Sequence, residues 1–523
     1  MKKEYDAIVV GSGLAGLTSA AYLCRYGFRT LVCEKRKKTG GLVDTFWHQG
    51  FAFDGGIRAF ENSGIVFPML KDLGIDMECK QNQVSIGIAD RSVKLTSQDS
   101  LDNYISMLTT IFPDNEGDIN QIKEEIRKVI GYMDVLYGID NPLFMGKMDS
   151  QYLTKTLLPW FFRYQLNIRK ASRLDEPIQS YLGRFTKNIA LIDMIIQHFF
   201  KDTPTFFALS YFSLYLDYSY PIGGTGVLAE KMTEYILSSG GEILTEAGVS
   251  HVDAKEHQIQ LESGEVFGYG KLIWAANQKT LYDRINGLST TNFEKQQALA
   301  KQSIGGDSIL TVFLGVNQSR AYFEDRCGAH MFYTPSTKGL SSMIGWEDSS
   351  NDSKGDLFRW TEDYLERTTY EISCPVIRDQ ALAPEGKTGI IISTLLDYSL
   401  VKRISEAGDY EHFKDFCTQK IINVLEQSLF SGIQELVLFS ICATPLTIEK
   451  ETFNSEGAIT GWSFTNKVMP SENRFKKITN AVQTPIPDVY QCGQWTFSPS
   501  GLPVSIITGK LAADQVKKNL KNQ

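Results

Sequence analysis

The stretch YDAIVVGSGLAGLTSAAYLCRYGFRTLVCEK, Tyr5 to Lys35, limits the fold of this chain more than any other. Its apolar runs predict a buried strand over 5–10, a helix over 14–26 and a second strand over 28–33, which is a βαβ unit. Gly11-Ser12-Gly13-Leu14-Ala15-Gly16 supplies a G-x-G-x-x-G turn where the strand meets the helix. In such a turn the first glycine permits the tight bend and the second lets a pyrophosphate reach the backbone. The third lets helix and strand close up. The helix start then turns its free N–H groups and positive dipole end toward phosphate. Glu34 comes at the end of the second strand, where a carboxylate accepts hydrogen bonds from a ribose 2′-hydroxyl. The segment predicts a dinucleotide site, and NAD and FAD would both satisfy it.

Length decides what can surround that unit. At 523 residues and 42% hydrophobic content the chain can bury a large core, and it is expected to divide into two or more structural units. A net charge of −8 without a basic stripe argues against a nucleic-acid partner. Eight cysteines carry no Cys-x-x-Cys pair and six histidines are scattered, so no metal site is expected, and the thiols read as reduced. Thr203–Leu216 is too short to span a bilayer, and Val489–Gly509 is broken by Gln491, Gln494, Ser498, Pro499 and Pro503. A cytoplasmic protein is expected, with attachment to a membrane surface left open.

Residues 101–200 have helical spacing. "YPIGGTG" breaks the chain at Tyr220–Gly226 before an amphipathic helix that ends at Gly240-Gly241. "KLIWAAN" at 271–277 and "DVYQCG" near the end predict strands, and a last helix is expected over 504–518. The polar run at 346–356 predicts an exposed loop.

Which dinucleotide the turn holds depends on the residues after Glu34. "KKTGGLVDTFWHQGFAFDGGIRAFEN" brings glycine pairs at Gly40-Gly41 and Gly55-Gly56, two bare backbone stretches suited to a flat, extended cofactor or to surface hairpins. Gly40-Gly41 resembles the second glycine motif of the amine-oxidase and phytoene-desaturase flavoproteins. "YPIGGTGVLAEKMTEYILSSGGEI" is similar to their Tyr-Pro-x-Gly-Gly turn and helix. "SCPVIRDQALAPEG" and "ATPLTIEKETFNSEGAITGW" resemble segments of phytoene desaturases, carotenoid isomerases and retinol saturases, and "VYQCGQWTFSPSGLPVSIITGKLAA" looks like their C-terminal flavin segment. The order is kept along nearly the whole chain. Leu42 stands where an arginine is usual, and Phe497-Ser498-Pro499-Ser500-Gly501 lacks the usual histidine.

The resemblance implies an α/β fold: a Rossmann-type FAD-binding domain of the glutathione-reductase-like flavoprotein kind, with an inserted α+β substrate domain. The FAD unit would comprise 1–100, 215–290 and 440–523, and the substrate unit 101–214 and 291–439. It further implies FAD contacts at Gly11 to Gly16 (Gly11, Ser12, Gly13, Leu14, Ala15, Gly16), Glu34, Lys35, Gly40, Gly41, Leu42, Gly55, Gly56, Ile57 and Ala275. The Val249 backbone would bracket the adenine, Gly493 and Gln494 would approach the ribityl phosphate, and Leu502, Pro503 and Val504 would meet the flavin ring. No second G-x-G-x-x-G appears, so a separate nicotinamide domain is not expected.

The inserted regions are aromatic. Phe206, Phe207, Tyr211, Phe212, Tyr215 and Tyr218 are dense enough to line a lipophilic tunnel, with Phe207, Tyr211 and Tyr215 as its substrate contacts; helix core is the alternative. Arg163, Arg169 and Lys170 beside Trp160 and Phe161 could meet anionic lipid or form an ordinary solvated face. Arg58 and Glu61, with His48, are the candidates for moving a proton, a structural Arg–Glu pair being the alternative. Three functions fit. The first is an FAD oxidoreductase that desaturates or saturates carbon–carbon bonds of a polyene, with a quinone, oxygen or a separate reductase as electron partner. The second is a redox-neutral polyene cis–trans isomerase that uses reduced FAD. The third is a non-catalytic flavin or lipid binder, or an amine oxidase relative, for which Cys492 would be the covalent flavin attachment.

Overall fold

Ala7–Val10 and Thr30–Cys33 are apolar almost without interruption, the pattern of strands covered on both faces. In the computed structural model, which describes residues 3–146, 150–286, 288, 290–347, 354–474 and 477–521, they lie at the middle of an eight-stranded sheet. Lys3–Val10 pairs in parallel with Thr30–Cys33 on one side and Val266–Trp274 on the other. Glu242–Leu244 continues the parallel order beyond Thr30–Cys33, and Val489–Gln491 pairs in parallel with the end of Val266–Trp274. Gln258–Leu261 and Val249–Asp253 add an antiparallel flap.

The helix Leu14–Arg25 lies on this sheet with Leu14 to Cys24 all buried. Small residues let it sit close: a β-carbon at Gly16 would fall 2.0 Å from the Gly11 carbonyl. The last helix, Leu502–Lys521, packs across it, and Ser19 Oγ donates to the Gly509 carbonyl at 2.9 Å.

A second, seven-stranded sheet runs in the order Val437–Ala443, Ser308–Val316, Thr388–Leu396, Tyr370–Ser373, His330–Thr334, Val84–Ile88, Arg91–Leu95. Every pairing is antiparallel except that of His330–Thr334 with Val84–Ile88. Lys354–Leu365 and Tyr410–Ser428 pack on each other over one face. A helical layer, chiefly Ser100–Ile111, Glu116–Leu136 and Thr205–Leu214, shares a core with Val84 and Ile88.

Two expected boundaries move. Residues 84–95, assigned on sequence to the dinucleotide unit, belong to the second sheet because Val84–Ile88 bonds to His330–Thr334. Val437–Ala443 likewise joins Ser308–Val316, so the boundary at 439/440 cuts through a strand. Of the loop expected over 346–356, residues 348–353 lie outside the described residues. The last helix starts at Leu502 rather than at 504, because a proline at the second position of a helix leaves its first turn intact.

Candidate functional site

Gly11 has φ +97°, and a β-carbon there would lie 3.0 Å from the Ala275 carbonyl, so only glycine suits the bend. Gly13 differs. Its φ is −64°, and a β-carbon on it would meet nothing within 4 Å. It is bare because the space in front of it is open, not because its backbone requires it. Gly40 bridges to Gly13, and a β-carbon on Gly41 (φ +62°) would come 3.2 Å from the Gly13 α-carbon. The two glycine motifs therefore form one side-chain-free strip. Glu34 Oε2 accepts from Ser12 N at 2.8 Å and from Ser12 Oγ, while Oε1 accepts from Arg36 N at 2.8 Å. These bonds hold the carboxylate beside the strip.

A cavity of about 1010 Å³ begins at this strip and ends on the second sheet. Gly11, Ser12, Gly13, Leu14, Ala15, Glu34, Lys35, Gly40, Gly41, Leu42, Gly55, Gly56, Ile57, Val249, Ala275, Gly493, Gln494 and Leu502 all line it. Gly16 stands behind, as the close packing of helix on strand requires. Pro503 and Val504 do not line the cavity; Leu502 and Ser505 do, since a helix presents the same face every three to four residues. Cys492 is also outside the lining. Burial pushes its thiol up to about 12.

The far wall comes from strand register. Phe332 pairs with Glu371, Glu371 with Ser393, and Ser393 with Thr311, which puts them in one row across the sheet. Of this row Phe332, Glu371 and Ser393 line the cavity. Tyr211 and Tyr215, one helical turn apart, and Tyr218 complete the aromatic side. Phe207 does not reach it; its ring packs edge-on against Tyr211 at 5.2 Å. Phe212 points the other way, into core beside Tyr104 at 6.2 Å.

Arg58 and Glu61 both line the cavity without pairing. Arg58, 2% exposed, donates to the Asp54 carbonyl and, at 2.8 Å, to Ser393 Oγ, and its Nε is buried without a partner. Burial draws its pKa down, and the charges of Glu371 and Asp54 offset this in part. Glu61 is partly buried in the cavity wall, and burial pushes its carboxyl up to about 7, with the Asp217 charge adding to the effect. His48 lies outside the lining, on the hairpin Thr45–His48/Phe51–Asp54, its ring 4.8 Å from that of Phe439.

The sequence reasoning missed a second polar group at the far wall. His330, 1% exposed, approaches Glu371 Oε1 through Nε2 at 2.9 Å and Asn82 Nδ2 through Nδ1 at 3.1 Å. Arg378 Nη1 donates to Asn82 Oδ1 at 2.7 Å, which turns the Asn82 amide nitrogen toward the imidazole. Nδ1 must then accept, so Nε2–H donates to Glu371. Burial holds His330 below its usual pKa against the pull of Glu371. Burial raises Glu371, but the His330 hydrogen bond and the charges of Arg58 and Arg378 outweigh it and keep the carboxylate ionised. The signal available was a histidine and a glutamate inside the apolar strand runs "AHMFYT" and "YEISC". His198 stands nearby, driven down to about 4 by burial, its ring 4.0 Å from that of Phe199 and 5.4 Å from that of Phe332.

A parallel βαβ sheet with a glycine strip, joined by one cavity to a second sheet, defines an α/β fold of the Rossmann-like dinucleotide-binding class. The family described as NAD(P)-binding Rossmann-like domain matches residues 9–73. A prolycopene isomerase of Daucus carota is 24% identical over 85% of this chain and 70% of its own length. An all-trans-retinol 13,14-reductase of Danio rerio is 22% identical over 94% of this chain and 82% of its own. A lycopene-forming phytoene desaturase of Pseudescherichia vulneris is 20% identical over the full length of both. The resemblance read from the motifs therefore holds across the chain. Among solved structures a putrescine oxidase variant superimposes with a TM-score of 0.62 at 12% identity, covering 99% of each chain, and so shares the fold.

Proposed function

We propose that this protein is an FAD-dependent oxidoreductase acting on carbon–carbon bonds of a lipophilic polyene. The observation that carries this is the continuous cavity joining the glycine strip to the aromatic wall. The residues present fit FAD. Gly13 leaves open space where a pyrophosphate would lie, Gly41 backs it, and Glu34 holds a carboxylate at the ribose position. With Cys492 outside the cavity, the flavin would be held without a covalent bond. When bound, FAD supplies two-electron hydride chemistry at its ring system.

The chain's own residues supply the rest. Glu61 titrates near 7, where a carboxyl can take the second hydrogen as a proton in desaturation or give it in saturation. Glu371 stays ionised on the other unit, so two carboxyls in one cavity are set apart by their surroundings. Tyr211, Tyr215 and Tyr218 give the polyene an apolar wall that excludes water. Electrons would pass to or from a quinone, oxygen or a separate reductase.

The match to prolycopene isomerase supports a second reading, a redox-neutral cis–trans isomerase. Anaerobic incubation of the protein, oxidised and reduced, with a panel of polyenes separates the two by product mass. Loss or gain of two hydrogens is expected, and an unchanged mass with altered double-bond geometry would select the isomerase. Failure of the purified protein to bind FAD would overturn both.

A further inference from the structure

The helix Leu158–Ala171 and the π-helical turn Leu153–Leu157 before it have two unlike faces. Trp160, Tyr164, Ile168 and Ala171 recur at helical spacing and turn inward. Trp160 Nε1 donates to the Val135 carbonyl at 2.7 Å, and Ile168 and Ala171 are buried. The outward face carries Leu153, Leu158, Phe161, Phe162 and Leu166, and Phe162 and Leu166 are 62% and 60% exposed. Single exposed apolar residues are ordinary, but five on one short helical segment are not.

Charge indicates what covers them. Between Asp149 and Asp175 the chain carries Lys155, Arg163, Arg169, Lys170 and Arg173 and no acidic residue, in a protein of net charge −8. All five basic residues are exposed. Lys155 lies before most of the apolar stripe, and Arg169, Lys170 and Arg173 lie beyond it. Bulky apolar groups with basic residues at both ends are the pattern of a helix lying in a membrane interface. Among the described residues no helix is long and apolar enough to cross a membrane, so the contact would be one of surface docking.

The segment also sits in a useful place. It packs on Glu116–Leu136, which packs on Thr205–Leu214, the helix that brings Tyr211 to the cavity.

We infer that Leu153–Ala171 docks this protein on an anionic lipid bilayer, with Phe161, Phe162 and Leu166 entering the acyl boundary and the basic residues meeting the headgroups. The inference rests on the lipophilic-substrate reading only for its purpose, and the test separates the two. The full-length protein, purified with its cofactor, is sedimented with phosphatidylcholine vesicles that contain or lack phosphatidylglycerol. Wild type should pellet with phosphatidylglycerol vesicles and less so without them or at high salt. Phe162→Asp with Leu166→Asp should weaken this binding by tenfold or more, on the order of two bulky apolar contacts. Arg169→Gln with Lys170→Gln should weaken it roughly 25-fold, each basic group at an anionic surface being worth roughly fivefold. All variants should keep their flavin content and their turnover of detergent-dispersed polyene. Wild type that stays in solution, or double variants that pellet like wild type, would overturn the docking surface whatever the flavin does. So would a vesicle-free dimer that the Phe162→Asp/Leu166→Asp change breaks, since a second copy would then be the occupant.

Discussion

Replacing Glu61 with glutamine should make stability less dependent on pH, and the structure sets the size of the effect. The Glu61 carboxyl titrates near 7 in the folded chain against an ordinary value of 4.5, because the cavity wall buries it. Between those two values the folded state binds more protons than the unfolded state, so raising the pH favours unfolding. This penalty is absent below about pH 4.5, grows up to about pH 7 and is constant above it, where it amounts to about 3 kcal/mol. Glutamine keeps the shape and cannot ionise. Urea unfolding of flavin-free wild type and Glu61→Gln at pH 4.5, 6 and 8 gives the difference directly. The variant should match wild type at the lowest pH and exceed it by about 3 kcal/mol at the highest. A gap that does not change with pH would refute the desolvation of this carboxyl by the cavity wall.

The glycine turn separates two kinds of glycine. Gly13→Val should fold normally, because its β-carbon meets nothing within 4 Å, yet bind no flavin. Gly16→Val should lose folded protein altogether, because its β-carbon would sit 2.0 Å from the Gly11 carbonyl, and absorbance of bound flavin with circular dichroism distinguishes the outcomes. Tyr215 buries a hydroxyl that has no partner, so Tyr215→Phe should raise the unfolding free energy of the substrate-free protein by about 1 kcal/mol in urea titrations. Tyr211→Ala should keep its flavin and lose turnover by roughly tenfold or more in steady-state assays. NADPH alone should not bleach the bound flavin in a stopped-flow experiment, since FAD would occupy the glycine strip.

The glycine strip was legible because its geometry is local. Gly11 to Gly16, Glu34 and Gly40-Gly41 lie within one short stretch, and each glycine marks a place where a bend, a close approach or open space calls for bare backbone. The far wall was not legible. Phe332, Glu371 and Ser393 become neighbours only through strand register, which depends on pairings between distant segments. The aromatic run at 206–218 was half legible, because density shows that rings are needed but helical phase decides which face the cavity. Tyr211 and Tyr215 have that phase and Phe212 does not, whereas Phe207 shares it but lies a turn further along, packed on Tyr211 short of the cavity. The same phase separates Leu502 from Pro503 and Val504. Val84–Ile88 was misplaced because a strand does not announce which sheet it will join.

The helix Leu502–Lys521 lies against Leu14–Arg25, a β-carbon on Gly493 would come 3.3 Å from that of Ala15, and Gly493 and Leu502 line the same cavity as the glycine strip. The glycine turn thus waits for segments far along the chain before its half of the site is walled. Capture of a dinucleotide would in this sense follow synthesis of Leu502–Lys521 instead of accompanying that of the glycine turn. A nascent chain stalled before Val489 should fold its helices and hold no flavin. Loss of Leu502–Lys521 would leave a flavin-free chain that exposes the buried face of Leu14–Arg25, a target for quality control.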